Sequence, residues 1–146
     1  MTELEYRAFA EFRYTLRRFL EFSESAARGA SIEPQQHQLL LALKGLPPDL
    51  RPTIRTLAER LRLRHNSTVE RALRASESGL VLRRPSPLDG REVLLGITAR
   101  GERLRRSLSI AHRAEMRSAA PALIRSLEAV LASGNVPHTS SPKKEK

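Results

Sequence analysis

The sequence predicts a mainly α-helical chain with one small β-hairpin, an α+β class, and three observations carry that reading. Between Thr53 and Gly101 two short amphipathic helical segments, separated by a tight break, precede two apolar stretches around a charged loop holding Asp89-Gly90-Arg91. Long segments with helical spacing of apolar residues lie on both sides of that region. Cysteine is absent and 40% of residues are hydrophobic, so a packed core rather than disulfides must hold the chain together. Helix, turn, helix and hairpin in that order describe a winged helix-turn-helix, a shape that fits double-stranded DNA.

Residues 3–28 read as one long helix. Phe9, Phe12, Leu16, Phe19, Ser23 and Ala26 alternate in steps of three and four, a seam suited to lengthwise packing against other helices. All four phenylalanines and both tyrosines fall within residues 6–22, so this helix is expected to supply a core or an interface. Gly29 is placed to end it as a C′ residue. Pro34 opens the next helix, where its missing N–H costs nothing. That helix runs to about Gly45, and its apolar run Leu39 to Leu43 predicts a central position. The segment LPPDLRP over 46–52 is a rigid connection, since its prolines cannot continue a helix.

Thr53 is a good N-cap for the first helix of the motif, Ile54 to Leu61. Arg62 then stands where such turns often carry glycine. A left-handed backbone there strains the chain by about 1–2 kcal/mol. The second helix covers about His65 to Ser78, with Val69, Ala72, Leu73 and Ser76 toward the core and Asn66, Ser67, Arg71 and Arg74 on more exposed sides. Asn and Arg near the start of such a helix can pair with adenine and guanine edges in the major groove. Gly79 ends it. Leu80-Val81-Leu82 begins a strand, Pro85 and Pro87 keep the wing extended, Asp89-Gly90 turns it, and Arg91 to Ile97 returns. Arg83 and Arg84 are placed to meet phosphates. Thr98 caps a fifth helix, which Pro121 breaks or kinks, and a sixth runs to about Ser133. The stretch 134–146 is polar, basic and aperiodic, and reads as a disordered tail.

Composition narrows the partners. The chain has 146 residues, which suggests one domain, and a net charge of +10, which favours a polyanion. No apolar run approaches the roughly 20 residues of a membrane span, and the N-terminus MTELEYRAFAEF has no signal-peptide pattern, so a cytoplasmic protein without a membrane partner is expected. Enzyme signatures are missing: no G-x-S-x-G elbow, no P-loop, no G-x-G-x-x-G. The four histidines lack H-x₃-H spacing, so no metal is expected, the alternative being a site assembled in the fold from His37, His112 and a carboxylate; no other cofactor is expected.

The phrases LAERL, RHNSTVERALR, SGLVLRRPSPLDGREVLLGIT and ARG closely resemble the multiple antibiotic resistance regulator (MarR) family of transcription regulators. The resemblance covers about residues 5–133, with the wing phrase the most specific. SIEPQQHQLLLAL also resembles the family's second helix, with Glu33 where a Thr cap is usual. The family frequently has Gly at the position of Arg62. The resemblance implies base or phosphate contacts from Arg64, His65, Asn66, Ser67 and Thr68. It implies that Asp89 and Arg91 form the family's wing pair, the Arg reaching the minor groove or its phosphates. A purely structural salt bridge is the competing role for Arg91, and a solvated face or an ion pair for Arg74. The resemblance implies a homodimer on a palindromic operator, built by helices 3–28 and 99–133 around a DNA-binding lobe at 30–100. It also implies a repressor responsive to a small anionic aromatic effector, with Arg13, Arg17, His37 and His112 as candidate pocket residues. The alternatives are an architectural DNA-binding protein without effector and a winged-helix module for RNA or protein.

Overall fold

The computed structural model describes residues 1–133; the tail expected over 134–146 lies outside them. The described residues form α1 (Glu3–Gly29), α2 (Pro34–Lys44), α3 (Ile54–Leu61), α4 (His65–Glu77), β1 (Val81–Pro85), β2 (Val93–Ile97) and α5 (Ala99–Ser133). They fall into two compact units: residues 22–113, and residues 1–21 with 114–133. Among the described residues no helix is long and apolar enough to cross a membrane.

The 22–113 unit holds the core. Ala27, Leu39, Leu40, Leu57, Ala72 and Ala75 are wholly buried there, and Leu80, Val81, Leu95 and Leu108 nearly so. Burying one leucine in this way stabilises by roughly 1.5–3 kcal/mol. Not every side of α2 is enclosed: Leu41 leaves 53% of its surface to solvent. β1 and β2 pair antiparallel, Val81 opposite Ile97 and Pro85 opposite Val93. The segment before α3 adds to this sheet. The Leu95 N–H donates to the Pro52 carbonyl at 2.9 Å, and Thr53 bridges Leu94.

Local chemistry explains three of the helix ends. The Thr53 hydroxyl accepts the Thr56 N–H at 3.1 Å, and the Thr98 hydroxyl accepts the Gly101 N–H at 3.0 Å, each replacing an absent intrahelical partner. Gly79 has φ +72° after α4, and the Leu80 N–H reaches back to the Ala75 carbonyl at 2.9 Å, closing a Schellman turn. The Thr98 hydroxyl also donates to the Gly79 carbonyl at 2.6 Å. Gly101 lies against this junction. A Cβ there would run into the Leu80 carbonyl and come within 2.8 Å of the Ile97 side chain.

Two expected helix ends differ. Gly29 is the last residue of α1, and the left-handed residue is Ser31, at φ 58°; the Ile32 N–H bonds the Ala27 carbonyl across it. Pro121 sits inside α5, so the expected fifth and sixth helices are one helix of 35 residues. Proline deletes only one ladder bond, here to the Arg117 carbonyl, at a cost of about 3 kcal/mol. The two helical stretches that flank it are long enough to carry it.

In the second unit α1 and α5 meet at Thr15 and Ser126, whose hydroxyls lie 3.3 Å apart. Ala8, Ser126 and Ser133 are buried there, whereas Leu4, Phe9, Tyr14, Leu20, Ile124 and Leu131 are exposed. Within one chain, Phe9 and Leu16 of the aromatic seam are therefore exposed and Phe12 is half-buried.

Candidate nucleic-acid interface

Three residues fix α4. Thr68, Ala72 and Ala75, at steps of four and three, have no exposed surface, so one face of the helix is locked onto the core. The opposite side carries Asn66, Ser67 and Arg74 exposed, with Arg71 half-buried. Arg64 and His65 are also exposed where the helix begins. No side chain caps that end, which leaves the first-turn N–H groups and the positive pole of the helix directed at solvent.

Two expected orientations are corrected. Thr68 is inside, its hydroxyl donating to the Arg64 carbonyl at 3.0 Å, so a contact to DNA from this side chain is closed off by packing. Leu73 is 39% exposed rather than core, because the helix is rotated to turn Ala75 inward. Arg74 donates to Glu70 at 2.9 Å one turn away, the ion pair that competed with a DNA role. Both side chains are more than half exposed, so the pair contributes little to stability.

The break between α3 and α4 is made by Arg62, with φ 56° and ψ 45°. The Leu63 N–H bonds the Ala58 carbonyl at 2.9 Å across it. The strain of about 1–2 kcal/mol expected of a left-handed side-chain residue is therefore present.

The wing presents Arg83 and Arg84 from β1 and Arg91 from its tip, all exposed. None of the three enters an ion pair among the described residues. Asp89 does not hold the Arg91 guanidinium. Its carboxylate accepts the Arg91 backbone N–H at 3.0 Å, and its carbonyl accepts the Glu92 N–H at 3.0 Å. Asp89 thus shapes the turn and leaves the arginine side chain unpaired.

Sequence reading missed the base of the wing. Ser86 is 5% exposed, and its hydroxyl accepts the Leu88 and Asp89 N–H groups at 3.2 and 3.4 Å. Arg51 donates to the same hydroxyl from Nη1 at 3.3 Å. Its Nη2 faces Glu92 Oε2 at 2.6 Å, an ion-pair contact without the alignment of a hydrogen bond. Arg51 stands 35 residues before Ser86, so no local pattern links it to the wing.

The four candidate pocket residues are divided between the two units. Arg13 and Arg17 are exposed on α1, in the unit of residues 1–21 with 114–133. His37 and His112 meet inside the other unit, ring centroids 4.7 Å apart and planes tilted by 30°. His112 Nδ1 lies 2.7 Å from the Leu108 carbonyl, and Nε2 lies 2.7 Å from the Ser23 hydroxyl. A carbonyl only accepts, so Nδ1 carries the proton, and in the neutral ring Nε2 accepts from Ser23. Burial pushes the His37 pKa down, and the neighbouring His112 adds to the shift. Among the described residues no three metal-ligating side chains gather.

The sequence model of the MarR family matches residues 30–92. No curated protein sequence gives a significant match. Solved structures match over most of their length. AbsC, a MarR family transcriptional regulator from Streptomyces coelicolor, superposes with a TM-score of 0.72 at 19% identity, over 82% of this chain and 80% of that one. CouR from Rhodococcus jostii RHA1, solved with p-coumaroyl-CoA bound, gives a TM-score of 0.61 at 20% identity, over 85% and 88%. A MepR variant from S. aureus, solved with a bound oligodeoxyribonucleotide, gives 0.62 at 16% identity, over 84% and 91%.

Proposed function

We propose, from the premise that the winged helix at 30–92 belongs to the MarR family, that this chain is a non-enzymatic, sequence-specific double-stranded DNA-binding regulator. It acts as a homodimer and represses from a palindromic operator until a small effector binds. The observation that carries the reading is the arrangement of Arg83, Arg84 and Arg91, exposed and outside any ion pair on the wing, with the uncapped, polar start of α4 held on the same core. Cations of this kind displace counterions from phosphates, and Asn66 and Ser67 stand at the helix end that reads base edges. The net charge of +10 draws the chain to the same partner. The oligodeoxyribonucleotide held by the MepR variant supports DNA as partner, and the p-coumaroyl-CoA held by CouR supports an effector.

Selection of bound sites from random duplexes tests the reading. A palindromic consensus is expected; recovery of no consensus defeats it. With Arg64, Arg83, Arg84 and Arg91 from two lobes, about 4–8 released counterions give a log–log salt slope between about −4 and −7. Asn66→Ala should cost about 1–3 kcal/mol on the selected site only. Arg91→Ala should weaken all duplexes, those with A·T-rich flanks most. Wild-type binding by Arg91→Ala would make the wing structural.

A further inference from the structure

The loop 86–92 is held from outside itself. A backbone bond from the Ser86 N–H to the Glu92 carbonyl, 2.9 Å, closes it, and Arg51 then grips both ends, Ser86 through Nη1 and Glu92 through Nη2. Arg51 is itself anchored, because the residues after it are fixed: Pro52 accepts the Leu95 N–H, Thr53 bridges Leu94, and Thr53 caps α3. One guanidinium therefore ties the loop carrying Arg91 to the first helix of the reading motif.

We infer that Arg51 and Glu92 are positioning residues for DNA recognition: with Ser86 they form a latch that sets where the wing arginines stand relative to α3 and α4. The inference rests on the DNA-binding reading. Charge alone predicts the opposite behaviour. Glu92 is an anion near the surface offered to a polyanion, so removing its charge should tighten binding. A latch predicts weakening, because the freed loop spends binding energy on ordering. Arg51 separates the two roles in a second way. Lysine keeps the positive charge but cannot present two donors in a fixed fork to two partners.

The test uses the full chain as wild type, Glu92→Gln, Arg51→Lys and each combined with Arg91→Ala, all confirmed folded by circular dichroism. Two readouts are taken. Amide hydrogen exchange in 86–92 should rise in Glu92→Gln and Arg51→Lys while α4 is unchanged, a result that requires no DNA. Affinity for the selected duplex should fall about 5- to 20-fold in either variant, and the loss should largely vanish in the Arg91→Ala background, as coupled residues behave. Unchanged exchange overturns the latch, whatever the DNA does. Faster exchange with wild-type or tighter DNA binding overturns the positioning role. A wild-type chain that binds no duplex defeats the DNA reading and the positioning role with it, while exchange still decides the latch.

Discussion

In the unit of residues 22–113, Leu39, Leu40, Leu57 and Ala72 are wholly buried; in the unit of residues 1–21 with 114–133, Leu4, Tyr14, Ile124 and Leu131 each leave more than half their surface to solvent. Both are built from helices with apolar residues at helical spacing, so periodicity alone does not separate them. The difference lies in what stands opposite. In the first unit, helices and the hairpin cover one another. In the second, α1 and the end of α5 bury little beyond Ala8, Ser126 and Ser133. Exposed apolar helix faces of this extent mark surfaces that bind something. The proposed homodimer supplies a second copy of the same faces.

The largest effect should come from truncating the covered unit. Leu57→Ala is expected to destabilise by about 2–5 kcal/mol through the cavity it leaves, read as a lower denaturant midpoint at unchanged slope. Leu131→Ala, at 75% exposure, should stay within about 0.5 kcal/mol at concentrations where the chain is a monomer. Equal losses would break the contrast. The next test asks what the open face is for. Leu127, 45% exposed, would become an unpaired charge in the proposed dimer seam when changed to Glu. Sedimentation should then show monomer where wild type is dimer, and DNA affinity should fall, since linked lobes lose their effective concentration. A wild type that sediments as a monomer at micromolar concentration, insensitive to dilution, sinks the dimer.

Acid should act on the covered unit. His37 folds with its pKa below the ordinary 6.5 because burial, then His112, disfavours its charged form. Its contribution is complete above about pH 6.5 and is lost as pH falls through that value toward the lower folded pKa. The thermal midpoint should drop between pH 7 and pH 5, less so in His37→Leu, and Leu127→Glu should keep the wild-type trend. A midpoint with the same pH dependence in His37→Leu assigns the loss elsewhere. The smallest effect is at the turn: Arg62→Gly relieves a left-handed residue and should stabilise by up to about 1 kcal/mol, and a loss of stability would show that the side chain packs usefully there.

Much of this was legible in the sequence because it is written locally. Thr53 and Thr98 cap helices, Pro34 opens one and Gly79 closes one, whereas Arg62 marks the turn only by standing where such turns often carry glycine. The misreadings share a cause. Pro121 obeys its local rule and is outweighed by the helix around it. Gly29 was the better local candidate, yet the chain turns at Ser31. Thr68 shares the start of α4 with exposed neighbours, but its spacing from Ala72 and Ala75 puts it inside. Ser86 makes a local turn with Leu88 and Asp89, but the grip of Arg51 on Ser86 and Glu92 follows no local rule, because it exists only once the sheet has formed.

The glycines differ in how much the fold demands of them. An added Cβ at Gly29, Gly90 or Gly96 meets nothing within 4 Å, whereas at Gly101 it meets the Leu80 backbone. Gly79 is constrained by its positive φ, which a strained residue can still adopt at a cost, as Arg62 does. Gly101 has no such escape, because all nineteen alternatives carry an atom where the carbonyl already stands. In the language of mutational tolerance, a saturation library selected for folded protein should read a full alphabet at Gly90, a skewed one at Gly79 and a single letter at Gly101.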